Sequence, residues 1–373
     1  MEQKIITPEN DYRGLNAWLR DHQIKRLLLV CGDYMRYLPK LSEHLCGLEE
    51  QGLQITRFVD FQPNPQYQNV VDGIEAFNCN QCDAIMAIGG GSAMDVAKCI
   101  KLFCRMDAGR NYLEQAIVPN GIPFLAMPTT AGSGSEATRY SVIYYQGKKQ
   151  SVTHESCIPG TVLLDPDALR SLPIYQKKST MLDALCHAIE SWWSVNSTDE
   201  SKAYAAEAIR GVMAHRQAYL DNEVSGLTGM LKAANAAGKA INITQTTAGH
   251  AMCYKITGLF GCAHGHAAAL CVRRLFPWML THMDQCIDPR GAEYLRQTMR
   301  EIAQALDCGT AQEAAEGFAA FFDSLQLDVP AAAPEQYEEL KTSVNPVRLK
   351  NHPVALSEDD IDTLYHMILK ENV

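Results

Sequence analysis

No uninterrupted apolar run is long enough to span a bilayer, which excludes a helical integral membrane protein. The opening stretch, M-E-Q-K-I-I-T-P-E-N, lacks the apolar segment of a signal peptide, so a cytoplasmic protein is expected. Positive charge is in short supply: 33 Lys and Arg face 43 Asp and Glu, leaving a net charge of -10. That balance argues against nucleic acid or an anionic membrane as the main partner, although a few local arginines suffice for a small anion. Internal repeats and low-complexity tracts are missing. Only one C-x-x-C occurs, at Cys79 and Cys82, with no second pair to complete a structural zinc site. The 13 cysteines are odd in number and sit mostly in apolar segments, which fits reduced core thiols better than a disulfide framework.

What is present organises into two halves. At 373 residues the chain exceeds the usual single-core size, and two domains are expected. Residues 25–31, 54–59, 84–88, 123–127 and 161–165 read as buried strands separated by helical patterns, the signature of a parallel sheet. From Ser171 onward strand signals fade and helical periodicity dominates. The reading is an α/β Rossmann-like, dinucleotide-binding domain over residues 1–170 and an all-helical, metal-binding catalytic domain over residues 171–373.

Two of the strands run into glycine- and serine-rich segments, Gly89 to Lys98 and Pro128 to Glu136. A glycine turn joining strand to helix exposes unpaired N–H groups at the positive helix end, which suits a phosphate. The glycine run is not the G-x-G-x-x-G fingerprint. Two such segments, each after a buried strand, are expected side by side at the carboxyl edge of the sheet, where open α/β folds bind ligands.

In the second half, Asp183 and His187 stand at i and i+4 of a helical sequence and project from one face. Downstream, His250 and His264 flank a glycine-punctuated segment, with His266 close behind. One carboxylate and three imidazoles form a donor set for a borderline divalent metal, with a position left for water or substrate.

With these pieces placed, the chain resembles the iron-containing (group III) alcohol dehydrogenases over nearly its whole length. The carriers are G-G-G-S-x-x-D-x-A-K at 89–98, P-T-T-A-G-S-G-S-E at 128–136, D-A-L-x-H-A-I-E at 183–190, G-H-A-M at 249–252 and A-H-G at 263–265. The resemblance implies that Asp183, His187, His250 and His264 hold Fe(II) or Zn(II). It implies that Gly90, Gly91, Ser92 and Asp95 meet a nicotinamide dinucleotide from one side and Thr129, Thr130 and Ser135 from the other. Asn64 and Lys149 take the places of further cofactor contacts. The cation would polarise an aldehyde carbonyl toward hydride transfer, with substrate and cofactor meeting across a cleft between the domains.

Two departures from the family pattern matter. A histidine near the nicotinamide is replaced by Tyr254, which leaves Tyr254, His266, water or the cofactor ribose to carry the proton. Gly32 stands where an aspartate often binds the adenosine ribose, so NADH and NADPH both remain open. A narrower resemblance, to the phosphonoacetaldehyde reductase branch, rests on E-S-W-W-S-V-N-S-T-D-E-S at 190–201, H-G-H-A-A-A-L at 264–270 and N-P-V-R-L-K-N-H-P-V at 345–354. It implies reduction of phosphonoacetaldehyde to 2-hydroxyethylphosphonate, a step of phosphonate biosynthesis. A phosphonate needs a cationic clamp, for which Arg139, Arg348 and Lys350 are the candidates. A general small alcohol or aldehyde dehydrogenase is the alternative within the fold, followed by a non-catalytic metal-binding homologue. The resemblance also implies a homo-oligomer.

Overall fold

The computed structural model describes residues 3–371. The chain divides into two compact units. The first comprises the chain up to Thr130 together with Gly134–Leu172; the second comprises Ala131–Ser133 and the chain from Pro173 onward.

The first unit is built on β1 (Lys4–Ile6), β2 (Arg26–Cys31), β3 (Gln54–Phe58), β4 (Ala84–Gly89), β5 (Phe124–Pro128), the hairpin β6 (Tyr140–Tyr145) and β7 (Lys148–Thr153), and β8 (Thr161–Leu163). Six strands form one parallel sheet in the order β1-β8-β5-β4-β2-β3. Their sequences explain the arrangement. L-L-L-V in β2 and I-M-A-I in β4 are apolar on both faces and fully buried, as strands covered by helices on both sides must be. The covering helices are α1 (Glu9–Asp21), α2 (Pro39–Glu50), α3 (Tyr67–Cys79) and α4 (Gly91–Phe103). Two cores result. One holds Val30, Ile74, Phe77 and Ile100; the other holds Leu15, Trp18, Leu29 and Leu41.

Strand order reverses between β2 and β4, since β3 lies beyond β2 on one side and β5 beyond β4 on the other. A groove of about 970 Å³ opens there, lined by Cys31, Gly32 and Asp33 after β2 and by Gly90, Gly91 and Ser92 after β4. This is the crevice that a doubly wound sheet leaves for a ligand.

The second unit is mostly helical: α5 (Ile174–Trp193), α6 (Asp199–Leu220), α7 (Val224–Thr244), α8 (Ala248–Phe260), α9 (His264–Thr281), α10 (Ala292–Ala305), α11 (Ala311–Ser324), α12 (Pro334–Ser343), α13 (Pro346–Leu349) and α14 (Glu358–Ile368). Helix α5 packs against α6, α7 and α9 and is buried along nearly its whole second half, the place of a central helix. The expectation of an all-helical unit needs one correction. Ala331–Ala332 and Lys370–Glu371 form a short parallel pair, β9 and β10, which ties down the last residues described. No helix among the described residues is long and apolar enough to cross a membrane. All 13 cysteines are free thiols, and most are buried.

Candidate metal centre and nucleotide loops

Helix α5 supplies the first two members of the metal cluster. Asp183 and His187 lie one turn apart, and Asp183 Oδ1 is 4.0 Å from His187 Nε2. Helix α8 brings His250 against them, with its Nε2 3.3 Å from the same oxygen. The rings of His187 and His250 stack at 4.3 Å. One ligand atom from each of these three buried residues lies within 4.8 Å of the others. Ligands of a tetrahedral cation bonded at about 2.1 Å sit roughly 3.4 Å apart. The three residues therefore fit one small divalent ion with modest adjustment.

Two glycines permit this approach. At Gly265 an added Cβ would lie 2.1 Å from Ser179 O and 2.5 Å from the Asp183 Cβ, so α9 meets α5 here only without a side chain. At Gly249 it would lie 2.9 Å from Glu190 Oε1. Helix α8 ends at Gly261, whose φ of +67° is the left-handed conformation glycine adopts without cost. Three residues later the chain presents His264 at the start of α9. The His264 ring is 5.3 Å from that of His250, and its Nδ1 is 3.6 Å from Cys253 Sγ. His264 thus borders the cluster, outside the tight group of three.

The electrostatics favour a cation. Burial works against charge on Asp183, but His187, His250 and His264 hold its carboxyl well below the usual carboxylate range. Burial pushes His187 down to about 4, keeping it neutral with a lone pair to offer. Burial would also lower His250, yet Glu190 and Asp183 lift it to about 9. Glu190 was assigned no role from the sequence. It is fully buried, seven residues after Asp183, and against the pull of burial its contact with His250 holds it down at about 2. Its Oε1 accepts from Thr247 Oγ1 at 2.6 Å, Thr247 N at 3.2 Å and His250 N at 3.3 Å, while Oε2 meets His250 Nδ1. The i, i+4, i+7 spacing of Asp183, His187 and Glu190 was the signal that could have marked it.

The other expected site residues of this unit separate. The Tyr254 ring lies 5.3 Å from that of His264. The residue is 36% exposed, but its hydroxyl is desolvated by the protein around it, which, partly relieved by Arg348, raises it to about 12. The guanidinium carbon of Arg348 sits 5.1 Å from the centre of the Tyr254 ring, and its Nη1 donates to Thr246 Oγ1 at 3.2 Å. Lys350 is exposed. His266 is packed between Tyr175 and Phe322, with its Nδ1 3.2 Å from Tyr175 Oη, and is not a member of the tight Asp183–His187–His250 group.

In the first unit the two glycine- and serine-rich loops are neighbours, because β4 pairs with β5 and Gly89 lies opposite Pro128. Thr129 N donates to Gly89 O at 3.0 Å. A Cβ on Gly89 would come 2.5 Å from that of Ala93, and one on Gly90 would touch Thr130 at 3.5 Å. Helix α4 starts at Gly91 with no side-chain cap, leaving its first N–H groups for an anion. Thr129 Oγ1 is buried without a hydrogen-bond partner among the described residues, which suits a hydroxyl that meets a ligand. Asp95 is half-buried, and burial, opposed by Lys98 and Lys149, raises its carboxyl to about 7. Lys98, also unassigned from the sequence, is fully buried and donates to Ser135 Oγ, Thr138 Oγ1 and Tyr140 O. It fastens the second loop to α4. Asn64 is exposed with φ +61°, and Lys149 is exposed in β7 opposite Tyr144. Arg139 belongs to this unit too, and is ion-paired with Glu155.

The sequence profile of the iron-containing alcohol dehydrogenases matches residues 2–166, and that of the C-terminal domain of the same family matches residues 177–369. A phosphonoacetaldehyde reductase from Streptomyces viridochromogenes is 30% identical over 293 residues, 72% of this chain and 73% of its own. A 1,3-propanediol dehydrogenase from Citrobacter freundii is 32% identical over 254 residues, 66% of each chain. Among solved structures, a sulfoacetaldehyde reductase from Bifidobacterium kashiwanohense in complex with NAD+ superposes with a TM-score of 0.83 at 25% identity, covering 99% of this chain and 98% of the other. An iron-containing alcohol dehydrogenase from Thermococcus thioreducens has the same fold, with a TM-score of 0.84 at 22% identity and coverage of 99% and 98%.

Proposed function

Because the chain belongs to the iron-containing alcohol dehydrogenase family, we propose that it reduces a small anionic aldehyde to the primary alcohol, converting phosphonoacetaldehyde to 2-hydroxyethylphosphonate with NADH or NADPH. In this reading Asp183, His187, His250 and His264 hold the divalent ion, and both Fe(II) and Zn(II) suit one carboxylate with three imidazoles. When bound, the ion supplies Lewis-acid polarisation of a carbonyl and the reduced nicotinamide supplies hydride. Gly90, Gly91 and Ser92 at the start of α4, with Thr129, Thr130 and Ser135, grip the dinucleotide phosphates through N–H and hydroxyl donors. Asp95, Asn64 and Lys149 complete the cofactor contacts.

The observation that carries the substrate assignment is Arg348. Among the described residues no carboxylate forms an ion pair with it, and it leans on Tyr254, which in turn borders His264. A half-buried guanidinium without an acid partner is well suited to a phosphonate, which it can meet through two parallel N–H donors. Relatives that act on phosphonoacetaldehyde and sulfoacetaldehyde support an aldehyde carrying an oxyanion. Arg139 is a weaker candidate because Glu155 already occupies it, and Lys350 has only its exposed charge to recommend it. Tyr254, its pKa pushed up to about 12, keeps its proton at neutral pH and can hold a hydrogen bond to substrate oxygen. His266 steadies the start of α9 through Tyr175.

A second reading, a dehydrogenase of neutral alcohols, is favoured by the propanediol dehydrogenase relatives. The two are separated by comparing kcat/KM for phosphonoacetaldehyde and propionaldehyde with each reduced cofactor. Strong preference for the anionic aldehyde supports the proposal. Equal turnover overturns the substrate assignment, and no oxidation of cofactor with any aldehyde overturns the reductase itself.

A further inference from the structure

We infer that Glu190 is a positioning residue that fixes the tautomer and angle of His250, so that its Nε2 lone pair points at the position shared with Asp183. The inference rests on the reading of Asp183, His187 and His250 as metal ligands. The two oxygens of the Glu190 carboxylate have different partners. Oε1 alone would serve as a cap for α8, since it takes Thr247 N, Thr247 Oγ1 and His250 N. Oε2 is not needed for that purpose and is spent on His250 Nδ1.

An ionised carboxylate can only accept, so Nδ1 must carry the proton. When a cation displaces the proton that Nε2 shares with Asp183 Oδ1 across 3.3 Å, Nδ1 keeps its own and Nε2 is the nitrogen left bare. The three Oε1 bonds prevent the carboxylate from swinging away, and Gly249 leaves room for it where a Cβ would stand 2.9 Å from Oε1. Helix α5 therefore provides two ligands and also the group that sets the third, at positions 183, 187 and 190 on one face. Carboxylate partners of this kind commonly affect metal affinity as much as orientation.

Glu190→Gln is nearly isosteric and discriminates between capping and tautomer control. Its amide oxygen can still cap α8, but its NH2 then faces Nδ1 and drives the ring proton onto Nε2. The measurement is the Zn(II) dissociation constant of chelator-stripped protein, by competition with a coloured chelator, together with the melting temperature of the stripped form. Thr247→Val is the control, since it removes one of the three bonds to Oε1, and with it the acceptor of Trp193 Nε1, while leaving Nδ1 untouched. We expect Glu190→Gln to weaken Zn(II) binding roughly 10- to 100-fold, and Thr247→Val to change it less than about threefold at a comparable melting temperature. Equal affinities in wild type and Glu190→Gln overturn the inference, as do losses that match in the two variants. If Glu190→Gln does not fold, Glu190→Asp draws the charge back from Nδ1, and wild-type affinity there overturns it equally. Failure of the wild-type protein to take up Zn(II) at all contradicts the metal reading instead.

Discussion

The guanidinium of Arg348 lies against the face of Tyr254, 5.1 Å from its centre, and donates a hydrogen bond to Thr246 Oγ1. Exchanging this arginine for alanine should raise KM for phosphonoacetaldehyde roughly 10- to 100-fold, the loss expected for a charge-assisted hydrogen bond. KM for propionaldehyde should barely change. Steady-state kinetics of both substrates check this, and parallel changes would remove Arg348 as the clamp.

Gly265 is a second point of leverage. With only 2.1 Å between an added Cβ and Ser179 O, Gly265→Ala must push α9 from α5, at a cost of roughly 1–3 kcal/mol from overpacking. His264 moves with it. The expected result is a lower melting temperature and weaker metal retention on dialysis, whereas Gly258→Ala, with nothing within 4 Å of its added Cβ, should alter neither.

Lys98 joins α4 to the second loop through three acceptors. Lys98→Met leaves Ser135, Thr138 and the Tyr140 carbonyl without their donor. KM for the reduced cofactor should rise about tenfold, while metal content stays at the wild-type level. A change in metal content with unaltered cofactor KM would contradict the assigned role.

His352 sets part of the acid limit of stability. It is fully buried against Trp193, both ring nitrogens lack hydrogen-bond partners among the described residues, and burial pushes its pKa down to about 4. A histidine depressed in the folded state takes up its proton more readily when unfolded. Its contribution is complete above the unfolded value near 6.5, falls as pH drops toward 4, and amounts to at most ~3 kcal/mol. His352→Leu should therefore flatten the fall of melting temperature between pH 6.5 and 4. An unchanged slope would show that this ring does not carry the effect.

The parts of the fold and site that were legible in the sequence are those set by local spacing. Asp183 and His187 are one helical turn apart, so their shared face follows from periodicity alone. The adjacency of the two loops follows once 84–88 and 123–127 are read as parallel neighbours, because both loops then leave the same sheet edge. Glu190 and Lys98 escaped for the opposite reason. Their partners lie 57 to 60 and 37 to 42 residues away, and only packing reveals that a charged side chain in an apolar stretch is fully satisfied. Arg139 reads as a free cation until the fold carries Glu155 against it. The β9–β10 pair is two residues long on each side, too short for any periodic signal.

The most direct measurement is the stoichiometry of Fe(II) or Zn(II) uptake by chelator-stripped protein, compared with Asp183→Asn and His250→Ala. The account predicts one ion per chain in the wild type and less than a tenth of that occupancy in either variant at the same free-ion concentration. Wild-type protein that takes up no ion, or variants that bind as well as it does, would contradict it.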